Sequence, residues 1–204
     1  MSRIAVIDFE TTGLSPAMGD RATEVAIVLV EGGQVVDRFQ SLMNAGVRIP
    51  AFITGLTGIS NAMLATAPSA ASVMAEASRF VGRAPMVAHN AAFDRKFWVS
   101  ELARAGLDAP QPYACTLLVA RRLYPQAPSH KLGVLADYHH LPKAGRAHRA
   151  MADAEMAASL LGQIQHDLRC RHRVAADHAL LMALQRCAKP AVAALMAKYS
   201  ALVV

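Results

Sequence analysis

Ile4, Ala5, Val6 and Ile7 form an unbroken apolar run near the start of the chain, rich in β-branched side chains, which predicts a buried strand over 3–9. Two further strands are expected over 22–30 and 34–42, joined at Gly32-Gly33, a pair suited to a hairpin turn. Met86, Val87 and Ala88 predict a short strand over 85–88. Elsewhere the apolar positions recur at the three-to-four spacing of a packed helix, as in Ala150, Ala154, Ala157, Leu161 and Ile164. Helices are predicted over 69–82, 91–105, 115–123, 130–138 and 150–166. An antiparallel meander followed by alternating helices and strands is an α/β order. Beyond it, Leu168, Val174, Leu181 and Leu184 suggest one more helix and Val192, Leu195 and Met196 another, with Pro190 breaking the two. The organisation expected is therefore a domain over 1–166 and a helical C-terminal extension over 167–204, either a cap on the core or a partner-binding segment. Neither internal repeats nor low-complexity linkers interrupt the chain.

Polar residues fall at informative places in this frame. Strand side chains alternate, so Asp8 and Glu10 emerge on one face, one pleat apart, and two like charges that close call for a cation. Thr11, Thr12 and Gly13 end the strand, and Gly13, without a Cβ, would let the backbone approach a ligand closely. A strand ending in a polar turn would look the same. Asn90 is placed to cap helix 91–105, whose apolar face carries Phe93, Phe97 and Leu102, and Asp94 falls in its first turn. The helix dipole alone would favour a carboxylate there, and Phe93 reads equally as core. Asp153 lies near the start of helix 150–166 with His148 five residues earlier. That offset turns the two apart on a continuous helix, so His148 must lie in the preceding loop, with Lys143, Gly145 and Arg146, to meet Asp153. His89, His130, His139 and His140 take no catalytic role.

Together, DFETTGL, HNAAFD and HRAMAD resemble, in order, the three motifs of the DEDDh-type 3′–5′ exonuclease family, which includes the epsilon proofreading subunit of bacterial DNA polymerase III, ribonuclease T and oligoribonuclease. IPAFITGLTGIS, CTLLVARRLYP and SHKLGVLADYHHL are similar to the family's intervening stretches, so the resemblance covers roughly residues 1 to 165 and looks closest to epsilon-like domains. It implies a ribonuclease H-like mixed sheet flanked by helices. It also implies metal-dependent hydrolysis of phosphodiester bonds at the 3′ ends of single-stranded or frayed nucleic acid, DNA favoured over RNA, with release of 5′-mononucleotides. By the same resemblance Asp8, Glu10, Asp94 and Asp153 would hold two divalent cations, and His148 would act as general base. Four hard oxygen donors without a thiolate suit Mg²⁺ or Mn²⁺. Thr11, Thr12, Gly13 and Leu14 would contact the terminal nucleotide, with Phe93 packed near the site. One departure is Cys115-Thr116-Leu117 where many relatives carry Asp-Thr-Leu, so a supporting hydrogen bond is expected to be missing there. The competing class is a catalytically silent nucleic-acid-binding or polymerase-tethering module, which would normally show a replaced carboxylate. None is replaced.

Composition adds little. Across 204 residues, 21 Lys and Arg against 15 Asp and Glu give a net charge of +6, which suits a polyanionic partner. Three cysteines, an odd number without metal-ligand spacing, favour a reducing, cytoplasmic setting. No leader-like stretch opens the chain, and charged residues interrupt each apolar segment well short of the ~20 residues that cross a bilayer, so a soluble protein without membrane association is expected. Beyond nucleic acid 3′ ends, a polymerase or a second copy of the chain are the partners left open.

Overall fold

The computed structural model describes residues 3–143, 145 and 148–200. Strand β1 (Ile4–Thr11) leads through a 3₁₀ turn at Pro16–Met18 into β2 (Ala22–Glu31) and β3 (Gln34–Leu42). Helices α1 (Ala51–Thr57), α2 (Asn61–Ala65) and α3 (Ala70–Val81) precede β4 (Met86–Ala88) and α4 (Ala91–Arg104). There follow β5 (Tyr113–Cys115), α5 (Thr116–Leu123), α6 (Leu132–Tyr138), α7 (Ala150–His172), α8 (His178–Arg186), a 3₁₀ turn at Lys189–Ala191 and α9 (Val192–Ser200). The strands form one mixed sheet in the order β3-β2-β1-β4-β5, antiparallel across β3, β2 and β1 and parallel across β1, β4 and β5. Helices cover both faces, the mixed-sheet architecture the motifs imply.

Period-two alternation along β1 sorts its side chains between two cores. Ile4 and Val6 pack with Ala150, Ala154 and Ala157 of α7 and with α5 and α8, whereas Ala5, Ile7 and Phe9 pack against α3 and α4. Asp8 and Glu10 continue the Ile4 and Val6 face, so both project toward the start of α7. Because β4 is only three residues long, its pairing with β1 is recorded at Ala5 and Val6 alone, and the far end of β1 extends beyond its neighbour.

Several expectations need correction. Helix α7 does not end at 166 but runs to His172, where Arg173 turns left-handed at φ 54°. Leu168 therefore belongs to α7 and Val174 to the following loop, so the two are not on one helix with Leu181 and Leu184; all four lie in one cluster with Ile4 and Val6. Strand β5 and helices α1 and α2 were not anticipated, each being too short to show a period. Asn90 does precede α4, but it is left-handed at φ 69° and makes no side-chain cap, so its tolerance of that conformation matters rather than its capping oxygen.

Candidate active site

Asp8, Glu10, Thr11, Gly13, Leu14, Phe93, His148 and Asp153 all line one cleft of about 430 Å³ at the end of β1. Ligand atoms of Glu10, His148 and Asp153 lie within 4.8 Å of one another. Asp94 arrives from the opposite layer. Where β1 outruns β4, the Phe9 N–H has no strand partner, and it donates to Asp94 Oδ1 at 3.2 Å from the first turn of α4. His148 sits ahead of α7, as the spacing requires, with a left-handed backbone at φ 61°, and its N–H donates to Asp153 Oδ2 at 3.1 Å. A non-glycine residue held there carries backbone strain, which the Asp153 contact helps to hold.

The carboxylates are crowded and poorly solvated. Burial, then the charges of Asp94, Asp153, Glu10 and Glu24, drive Asp8 well above the usual carboxylate range. Burial and the Asp153 and Glu24 charges push Glu10 up to about 8. Asp94 is raised by burial even though two backbone N–H groups favour its charged form, and Asp153 is raised by burial against the His148 N–H. Four groups that resist ionisation together form a site for positive charge, and the donor set of hard oxygens with one imidazole fits divalent cations such as Mg²⁺ or Mn²⁺.

Glu24, which pattern reading missed, lies directly across the hairpin from Glu10 and is also buried. It is neutralised differently. Arg149 Nε and Nη2 clamp its carboxylate at 3.1 and 2.8 Å, the Ala150 N–H donates at 3.0 Å and Gln40 at 2.9 Å. Burial pushes Glu24 up, but these donors prevail and hold it below the ordinary value. Since Arg149 follows His148 and Ala150 starts α7, the clamp fixes the segment carrying the histidine. A glutamate within the predicted buried strand, just ahead of the apolar run Val25–Val30, was the available signal, because a buried charge needs a partner.

Gly13 and Thr12 also make contacts within the loop itself. A Cβ on Gly13 would come within 2.4 Å of Asp20 Oδ1, so its missing side chain makes room for Asp20, whose Oδ2 accepts the Ser15 N–H at 2.8 Å. Thr12 is buried and does not line the cleft; its hydroxyl accepts the Arg21 N–H at 3.0 Å. Phe93 serves both readings, packing against Phe97 while lining the cleft. Facing Leu14, which is 77 % exposed, α1 presents Phe52 and Leu56, 72 % and 47 % exposed, an apolar lip that sequence reading did not single out. At the Cys115 departure the backbone N–H donates to Gln185 Oε1 at 2.7 Å, and the thiol makes no hydrogen bond among the described residues. His89 stays outside the cleft lining, between Thr116 and the His130 carbonyl.

Comparison with known proteins follows the same lines. The family described as Exonuclease matches residues 5–161. The chain is 38 % identical over 168 residues to the 3′-5′ exonuclease DinG of Bacillus subtilis, covering 82 % of this chain and 18 % of that one. It is 37 % identical over 164 residues to DNA polymerase III PolC-type of Bacillus cereus, covering 80 % and 11 %. It thus spans less than a fifth of the length of these two relatives. Among solved structures, exonuclease X in complex with 5′ overhanging duplex DNA is similar at TM-score 0.66 and 29 % identity over 80 % of this chain and 91 % of that one. Exonuclease I shares the fold at TM-score 0.71 and 19 % identity, over 81 % and 41 %. No helix among the described residues is long and apolar enough to cross a membrane. On the match over residues 5–161 and identity at this level to a 3′–5′ exonuclease, the chain belongs to the DEDDh-type 3′–5′ exonuclease family.

Proposed function

We propose that this protein is a metal-dependent 3′–5′ exonuclease that hydrolyses the terminal phosphodiester bond of single-stranded or frayed nucleic acid, DNA in preference, and releases 5′-mononucleotides. The observation that carries the proposal is the meeting of Glu10, His148 and Asp153 within 4.8 Å in a cleft that Asp8 also lines. Asp8, Glu10, Asp94 and Asp153 would hold two divalent cations, Mg²⁺ or Mn²⁺. Bound there, such ions supply Lewis-acid stabilisation of the scissile phosphate and of the leaving 3′ oxygen, and they acidify the attacking water. His148 accepts the proton of that water as its oxygen bonds to phosphorus. The bond from phosphorus to the 3′ oxygen breaks, and the new 3′ hydroxyl takes its proton from solvent. Thr11 and the backbone at Gly13 and Leu14 seat the terminal sugar and base, and Leu14 faces Phe52 and Leu56 across the cleft to enclose the base between apolar side chains.

A 5′-labelled oligonucleotide incubated with Mg²⁺ or Mn²⁺ should yield a stepwise ladder and 5′-monophosphates identified by mass. Asp8→Ala and Asp153→Ala should abolish turnover while the circular dichroism spectrum stays native. Single strands should be degraded fastest, because a paired end must first be unpaired at a cost of a few kcal/mol, as in base extrusion. Cleavage of a closed circle, release of 3′-monophosphates, or wild-type rates in excess chelator would each refute the mechanism. Tight binding with no cleavage would favour a silent tethering module.

A further inference from the structure

Three arginines outside the catalytic cleft, Arg95 on α4, Arg121 on α5 and Arg186 on α8, line a second groove of about 700 Å³. No aspartate or glutamate is in its lining, and none of the three pairs with a carboxylate among the described residues. All three are exposed. Guanidinium groups brought together from three helices without a counter-charge make a field that selects polyanions, and their planar forks suit phosphate. Between them lie Leu117, Leu118 and Met182, apolar surface on which nucleotide bases can rest.

Position narrows the occupant to the substrate itself. Phe93 lines the catalytic cleft while Ala92 and Arg95 line the groove, so only the first turn of α4 separates the two. A helix with its side chains is about 10–12 Å across and a stacked strand advances about 3.4 Å per nucleotide, so some three to four nucleotides bridge the distance. The wall formed by Met182, Gln185 and Arg186 comes from α8, which lies beyond the 5–161 span that the family matches. Helix α8 therefore completes the groove from outside the span that the family matches.

Resting on the exonuclease reading above, we propose that Arg95, Arg121 and Arg186 grip the phosphate backbone of the substrate strand three to four nucleotides upstream of its 3′ end. Helix α8 thereby makes affinity depend on strand length. The full chain and its R95Q/R121Q/R186Q variant should be compared on a thymidine dinucleotide and a dodecanucleotide. The variant should cleave the dinucleotide as the wild type does. On the dodecanucleotide it should lose about tenfold or more in kcat/KM through KM, with a salt slope shallower by about two, the value for three lost contacts to a single strand. The corresponding triple lysine variant should restore most of the slope. Fluorescence anisotropy in excess chelator reads binding without turnover, and the glutamine variant should bind the dodecanucleotide at least about tenfold more weakly. Equal losses on both substrates, or undiminished binding of the longer one, would overturn the proposal. So would displacement of the dodecanucleotide by thymidine 5′-monophosphate at matched phosphate concentration. If the wild type cleaves neither substrate, the exonuclease reading fails, and the anisotropy comparison still decides the groove.

Discussion

His148 combines exposure with a fixed backbone. Its side chain is open to the cleft, whereas its N–H is tied to Asp153 and its neighbour Arg149 is clamped to buried Glu24. An imidazole held this way can meet a water without giving up a ligand position at the carboxylates, as the proposed general base requires. His148→Ala should therefore slow turnover by about two to four orders of magnitude, the usual range for a positioned general base. The rise in Tm on adding Mn²⁺ should survive the substitution, because Asp8, Glu10, Asp94 and Asp153 remain. Near-normal turnover in His148→Ala would place the base elsewhere.

The segment between β1 and β2 depends on a buried ion pair for its shape. Arg21 Nε and Nη2 donate to Glu101 of α4 at 2.9 and 2.8 Å, the Ala22 N–H donates to the same carboxylate at 3.1 Å, and Glu101 is only 2 % exposed. Arg21 Nη1 also reaches the Ala45 carbonyl at 2.8 Å. Removing Glu101 would strand a partly buried guanidinium and a backbone donor. Glu101→Ala should cost about 3 kcal/mol, read from chemical denaturation, and raise KM more than it lowers kcat because the Gly13 and Leu14 wall loosens. At the far side of the sheet, Gln185 of α8 bonds the Cys115 N–H and the Tyr113 carbonyl, satisfying the outer edge of β5. That contact explains how the C-terminal helices become part of the same packed body, since an open strand edge is a pairing hazard.

For the whole molecule, crowded carboxylates make metal-free stability depend on pH. Glu10 rises from an ordinary value of 4.5 to about 8 on folding. Between those values the unfolded chain releases a proton that the folded chain keeps. The folded state then binds more protons than the unfolded one, so stability is full below the unfolded value and is lost as pH climbs toward 8. In excess chelator, Glu10→Gln should therefore match the wild type near pH 5 and exceed it near pH 8 by about 1–2 kcal/mol, or a few degrees in Tm for a chain of this size. Divalent cations should stabilise the wild type most at the alkaline end. Equal melting curves for the two proteins across this range would show that the carboxylates do not strain the apo fold.

The sequence by itself determined the family and where along each element its acidic residues fall. Local rules sufficed to put Asp8 and Glu10 on one face, because strand alternation has a fixed period. They also put Asp94 in the first turn of a helix, and His148 in a loop, because a five-residue offset cannot share a helical face with Asp153. Tertiary structure decided how these groups meet. Asp94 reaches β1 from the other layer, and although the short strand over Met86–Ala88 was legible, its pairing beside β1, which leaves the Phe9 N–H free for Asp94, was not. Gly13 serves Asp20 and Thr12 serves Arg21, contacts that depend on how the loop folds back rather than on residue type. Glu24 finds Arg149 across 125 positions of chain, and Arg95, Arg121 and Arg186 share a groove only after α4, α5 and α8 have packed. Such pairings are set by burial, which forces charged and polar groups to find partners wherever the fold brings them.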